Sequence, residues 1–282
     1  MLYPDAKSWH TSARKSVLFF GMSGLGKTHV SNLLVQQGGW FHYSVDYRIG
    51  TNGMYQHIKD NLIAHAMRDP FLAELLRADA MYLEPNVHNH DLTAVASYLG
   101  KPGDPARGGL PMEEYRRRQQ QFRTAEIAAL NDTQMFRQRA QDLYGYPHFI
   151  CDTGGSICEW IDPEDDNDPL LANLSAQCLL VWIKGDEAHS QELIRRFDRA
   201  PKPMAYQPEF LERVWENYLN ENKLQEDEVD PDSFIRWTYA QALAHRQPRY
   251  AAMARHGITV SADEIHAVTC AQDFDDLVTA KL

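Results

Sequence analysis

Residues 16–35 constrain this chain more than any other stretch. Ser16-Val17-Leu18-Phe19-Phe20 is a short apolar run, the pattern of a buried strand, and it stops at Gly21. A glycine-rich segment follows, and from Thr28 to Val35 the apolar residues Val30, Leu33 and Leu34 return at helical spacing. Residues 40–45 read as a second strand, so the unit is strand, glycine loop, helix, strand, and points to a parallel α/β sheet. The loop, Gly21-Met22-Ser23-Gly24-Leu25-Gly26-Lys27-Thr28, fits G-x-x-x-x-G-K-[ST] in full and in the right context. Its glycines let successive backbone N–H groups turn inward around a phosphate, and the helix N-terminus adds a favourable dipole. Lys27 would reach the β- and γ-phosphates of a nucleoside triphosphate, and Thr28 would ligate Mg²⁺.

Composition narrows the classes. A net charge of −11 argues against a general binder of nucleic acid or membrane surface, since both need a basic field. No apolar run approaches the ~20 residues of a membrane span. The N-terminal sequence MLYPDAKSWHTSARKS lacks the apolar core of a secretory signal, so a cytoplasmic protein is expected. The four cysteines, Cys151, Cys158, Cys178 and Cys270, form no C-x-x-C pair and no metal spacing. They read as small buried apolar residues.

Along the chain, residues 54–99 carry helical periodicity, 100–111 (GKPGDPARGGLP) form a Gly/Pro-rich loop, and 112–143 are strongly helical. Strands are expected at 148–152, 179–183 and 257–260, and a closing helix at 273–280. The expectation is one α/β domain over residues 1–282: a P-loop NTPase-type three-layer sandwich with a parallel sheet of about five strands. A mostly helical insertion would occupy 50–145, and a lid with a second helical insertion 185–245. His88-Asn89-His90 has the look of a metal H-x-H but stands on a loop without carboxylates in register. The acidic loop 162–169 lacks the spacing of a calcium loop. The tract RRRQQQFR (116–123) reads as a helix with one functional arginine rather than an RNA site.

What happens to the γ-phosphate depends on other motifs. Asp152-Thr153-Gly154-Gly155 fits the D-x-x-G of GTPases, but the only guanine-reader candidate, Asn222-Lys223-Leu224-Gln225, lacks the aspartate. Asp152 is followed by threonine and glycines, so no general base for water attack is obvious there. Other pieces, in order, are Ser44-Val45-Asp46-Tyr47-Arg48, Phe122-Arg123-Thr124-Ala125-Glu126, Asp152 to Ser156, Arg195-Arg196-Phe197-Asp198-Arg199 and Arg246-Gln247-Pro248-Arg249-Tyr250 with Ala254. Behind the glycine loop, this series resembles the shikimate kinase group of nucleoside-monophosphate-kinase-like enzymes.

The resemblance is local, carried by short motifs from residue 16 to the C-terminus. It implies that Asp46 faces the acceptor hydroxyl, and that Arg123 and Arg246 hold the acceptor's acid group. It further implies that Gly154 and Gly155 form a turn against the acceptor, that Arg195, Arg196 and Arg199 sit on a lid, and that Ser261 borders the adenine. Ser44 stands where the family has the first of two aspartates. The long insertions after Asp46 and before Arg246 also depart from shikimate kinases, so the acceptor pocket is rebuilt and a larger or different hydroxy acid is expected.

The chemistry is coherent on its own terms. Phosphoryl transfer needs positioning and charge neutralisation more than covalent help. Asp46 could take the proton of the attacking hydroxyl, the lid arginines could stabilise the moving phosphoryl group, and Asp152 would meet Mg²⁺ through a water. The expected activity is ATP- and Mg²⁺-dependent phosphorylation of a small, anionic, hydroxyl-bearing metabolite. Two alternatives stay open. One is a regulatory ATPase that binds a protein partner. The other is a nucleoside or nucleotide kinase in which Arg48, Arg123 and Arg246 hold a phosphate. Each piece also has a plainer reading, Asp46 as a helix cap and the arginines as a solvated face.

Overall fold

A computed structural model describes residues 1–88, 91–165 and 167–282. Its strands are β1 (Ser16–Phe20), β2 (Trp40–Ser44), β3 (His148–Asp152), β4 (Leu179–Lys184) and β5 (Ile258–Ser261). The first helices are α1 (Ala6–Thr11), α2 (Lys27–Gln37), α3 (Val45–Arg48), α4 (Tyr55–Ala66) and α5 (Pro70–Arg77). Then come α6 (Thr93–Leu99), α7 (Met112–Asn131), α8 (Thr133–Asp142), α9 (Ile157–Trp160) and α10 (Pro169–Gln177). The last are α11 (Glu187–Arg199), α12 (Pro208–Asn222), α13 (Pro231–Met253), α14 (Ala262–His266) and α15 (Ala271–Lys281). The chain divides into two compact units, one made of 1–45, 127–201 and 236–282, the other of 46–126 and 202–235.

The first unit is built on one five-stranded sheet in the order β2-β3-β1-β4-β5, parallel throughout. Every residue of β1 is buried, as expected of a central strand covered on both faces. Alternation along β2 shows the two covers. Trp40 meets Phe274 of α15, and Tyr43 stacks on Phe136 of α8 with centroids 4.5 Å apart. Side chains three residues apart on a strand point to opposite faces, so α15 and α8 cover opposite sides. The α/β class and the parallel sheet of about five strands expected from the sequence are what the structure has.

The second unit is helical. Leu99, Met112, Tyr115, Phe122, Tyr206, Phe210, Trp215 and Phe234 are buried in its core. Helix α7 is fixed along its length by its polar face: Gln119 donates to the Met204 carbonyl (2.9 Å) and accepts from the Tyr206 N–H (3.0 Å). The basic tract is neutralised locally. Arg116 grips Glu212 through two bonds of 2.7 Å, Arg117 grips Glu114, and the buried Arg118 reaches Glu114, the Tyr98 carbonyl and Asn61. Residues 78–92, expected as part of a helical stretch, contain no helix among the described residues. Of their apolar residues Val87 is buried, packed near Gly50, while Tyr82 is exposed, so no helical apolar stripe is buried there.

Hydrogen bonds from Arg117, with Arg118 adding to them against partial burial, hold the Glu114 carboxyl down to about 2 from an ordinary 4.5. A carboxyl lowered by folding stabilises above its ordinary pKa and loses that contribution as pH falls through its folded value. We therefore expect the parent to lose about 1 kcal/mol of stability between pH 4.5 and 2 that Glu114→Gln does not lose, after allowing for solvent screening. Urea titrations of tryptophan fluorescence at pH 5.5 and pH 3 check this; equal losses in both proteins would show that the carboxylate contributes nothing.

Candidate functional site

The glycine loop follows β1 directly. Gly21 has φ +131°, and a Cβ there would overlap the Ile183 carbonyl of β4; Gly26, at φ +106°, begins α2 from the left-handed region. Both positions require glycine. The Lys27 ammonium is buried and folded back onto the loop, donating to the carbonyls of Gly21 (2.8 Å) and Met22 (3.0 Å). The Thr28 hydroxyl donates to Asp152 Oδ2 at 3.0 Å.

Sheet register explains that last contact. Strand β3 lies between β1 and β2, with Asp152 opposite Phe19 on one side and Ser44 on the other. Its carboxylate therefore emerges at the end of the sheet, under the start of α2. His42, two residues before Ser44 and so on the same face, brings its Nε2 to 3.4 Å from Asp152 Oδ2. The neighbouring Thr153 is committed elsewhere, its hydroxyl donating to the Phe19 carbonyl at 2.9 Å. A hydroxyl and a carboxylate are hard oxygen donors that fit a divalent cation completed by water and phosphate oxygens. Among the described residues no three His, Cys, Asp or Glu side chains gather as a metal site of their own.

Segment 155–161 is gripped by α13. Arg246 donates to Glu159 at 2.6 Å with both side chains buried, and His245 approaches the other carboxylate oxygen at 3.2 Å. Arg249 donates to the carbonyls of Cys158 (2.7 Å) and Ile161 (2.8 Å), and Tyr250 donates to the Gly155 carbonyl. Burial alone would raise the Glu159 pKa, but Arg246 and His245 outweigh it and hold it below the usual carboxylate range. Gly155 itself lies against Ser23 of the glycine loop and the Arg246 guanidinium. The sequence singled out Arg246 but not Glu159, Arg249 or the Tyr250 hydroxyl. The only signal for the grip was the spacing 245, 246, 249, 250, which is one face of a helix.

Helix α11 starts beside the loop, Leu193 packing on Gly24 and the Gly185 turn on Leu25. Arg195, Arg196 and Arg199 are exposed on it, the first two paired with Glu192. Its far end is tied to α13, where Phe197 stacks on Tyr239 at 3.9 Å and Arg236 donates to the Asp198 carbonyl. A cavity of about 360 Å³ lies between the ends of β4 and β5, lined by Lys184, Asp186, His189, Ser261, Asp263 and Glu264. Ser261 also caps α14, and α14 packs Ile265 and His266 on Gly26 at the end of the loop.

Asp46, Arg48 and Arg123 belong to the second unit. Asp46 and Arg48 stand on α3, followed by a π-helical turn over Ile49–Gly53, and Arg123 is half-buried on α7. A Cβ at Gly53 would overlap Ala125, so this turn lies directly on α7 two residues beyond Arg123. Of the sequence-derived site, the structure brings Lys27, Thr28, Asp152, Gly155 and Arg246 together in the first unit, and Asp46, Arg48 and Arg123 into the second.

Cys151, Cys158 and Cys178 are buried and unpaired, and burial pushes the thiols of Cys158 and Cys178 up to about 12, as inert core residues require. Asp168 caps α10 at the end of the acidic loop, of which Asp166 lies outside the described residues. His88 pairs through its backbone with Asp91, while Asn89 and His90 of the H-x-H also lie outside them. Among the described residues, no helix is long and apolar enough to cross a membrane. No family model, curated protein or solved structure matches this chain.

Proposed function

We propose that this chain is a P-loop kinase that uses ATP and Mg²⁺ to phosphorylate a hydroxyl of a small anionic metabolite. The observation that carries the reading is the bond from Thr28 to Asp152 at 3.0 Å, made beside the Lys27 ammonium in a loop whose glycines leave its backbone open to an anion. In this reading residues 21–28 wrap the phosphates, and Lys27 exchanges its two loop carbonyls for phosphate oxygens. Thr28 and Asp152 hold the cation, which when bound neutralises charge on the phosphates. The cavity beside Ser261 takes the base.

Transfer is favoured over hydrolysis because Thr153, next to Asp152, is bonded to the Phe19 carbonyl, and the nearby Glu159 is engaged by Arg246 and His245. Glu159, so engaged, is not disposed to activate water. Asp46 is the candidate base for the acceptor hydroxyl, Arg48, Arg123 and Arg246 are candidate charges for its acid group, and Gly154 and Gly155 are candidate acceptor contacts. Arg195, Arg196 and Arg199 remain candidates for charge stabilisation from α11.

The test offers γ-labelled ATP and a pool of small hydroxy acids to the parent, Asp46→Asn and Arg123→Ala. Labelled product is expected from the parent, and a loss of about 10²–10⁴-fold from Asp46→Asn if it removes a general base. Slow ATP hydrolysis with no labelled acceptor, unchanged in both variants, would overturn the kinase reading and favour a regulatory ATPase.

A further inference from the structure

His42 stands in the first unit beside a pair of oxygen donors without a role of its own. Its side chain is only 12% exposed, and its buried Nε2, 3.4 Å from Asp152 Oδ2, has no hydrogen-bond partner. Native structures leave few buried polar atoms unsatisfied, and those that persist call for an explanation such as a bound ion.

We infer that His42 Nε2 is a nitrogen ligand of the divalent cation held by Thr28 and Asp152, and that it shifts the site's preference from Mg²⁺ toward Mn²⁺. The inference rests on the cation-binding reading of that pair. Two separations support it, 3.0 Å from Thr28 Oγ1 and 3.4 Å from His42 Nε2, both centred on the same oxygen, Asp152 Oδ2. Neighbouring ligands of an octahedral cation with bonds of about 2.1 Å stand about 3 Å apart, so Thr28 Oγ1 and His42 Nε2 each have roughly the spacing of a ligand adjacent to Asp152 Oδ2. Mg²⁺ takes oxygen ligands almost exclusively, whereas imidazole suits transition metals; Mn²⁺ shares the carboxylate preference of Mg²⁺ but, as a transition metal, tolerates a ring nitrogen better. Ser44, directly opposite Asp152 in the sheet, supplies a hydroxyl and not a second carboxylate. The site is thus poor in acidic oxygen and has a ring nitrogen at hand.

The test loads the full chain with Mn²⁺ and ATPγS and records the electron spin-echo envelope of the bound ion. The parent is expected to show nitrogen modulation from a directly bound imidazole, absent in His42→Ala and His42→Gln. Competition titrations should give a Mn²⁺-to-Mg²⁺ affinity ratio lowered at least about tenfold in both variants. Circular dichroism reports folding, and the glutamine variant, closer in size, decides the matter if the alanine variant does not fold. A parent spectrum without nitrogen modulation, or a ratio unchanged in the folded variant, overturns the inference. The cation reading then still stands if Asp152→Asn loses Mn²⁺. A parent that binds no Mn²⁺ in the presence of nucleotide overturns both.

Discussion

Glu159→Ala is expected to cost about 3–5 kcal/mol of stability, the penalty for leaving one member of a buried ion pair without its partner. The Glu159 side chain is 0% exposed and Arg246 3%, so neither charge can turn to water when the other is removed. Burial acts to lower the Arg246 pKa and Glu159 more than offsets it, so the variant leaves the guanidinium buried without its main counter-charge. Glu159→Gln keeps an acceptor in place and should lose less. Replacing both residues with apolar side chains of similar volume should recover much of the loss, because the pair's desolvation cost disappears with it. Guanidinium chloride titrations of the four proteins decide it. An alanine variant within 1 kcal/mol of the parent would mean that water enters and screens the site. The effect should also reach the glycine loop, because the segment that Glu159 anchors includes Gly155, which lies against Ser23.

Lys27→Ala should lower the proposed phosphoryl transfer by at least about 10²–10³-fold, the scale seen when one preorganised charge donor is removed from a transition state. Its ammonium sits inside the loop that would wrap the phosphates, already stripped of water and bonded to the carbonyls of Gly21 and Met22. Lys27→Arg should not rescue it, because a planar fork does not reproduce a compact point charge. Titration with a fluorescent ATP analogue separates lost binding from lost chemistry. Full turnover in the alanine variant would remove the lysine from the mechanism.

How much of this was legible in the sequence varies by scale. The loop and its flanking strand and helix were plain, because glycine spacing and apolar runs are local signals. Strand β3 was legible for the same reason, and residues 148–152 are its bounds. The contact of Thr28 with Asp152 was foreseeable only as a shared role, since 124 residues separate them and the register of β1 with β3 makes the meeting. Glu159 and His42 were invisible. One is a glutamate in an apolar run, the other a histidine in an aromatic one, and each acquires meaning only from a partner on another element. Residues 78–92 misled because the helical patterns that stop at Leu76 and resume at Leu92 read as continuous across the gap between them.

The placing of Asp152 has one more consequence. Because β3 is hydrogen-bonded on both sides, the position of its carboxylate is set by whole residues and cannot drift. A slip of one residue would turn Asp152 from the face of α2 to the face of α8, where Cys151 now meets Thr133. Errors at this position are therefore all-or-none. Changes of length in the turn before β3 can be absorbed outside the sheet, while a single insertion within the strand would carry the carboxylate to the wrong side of the sheet.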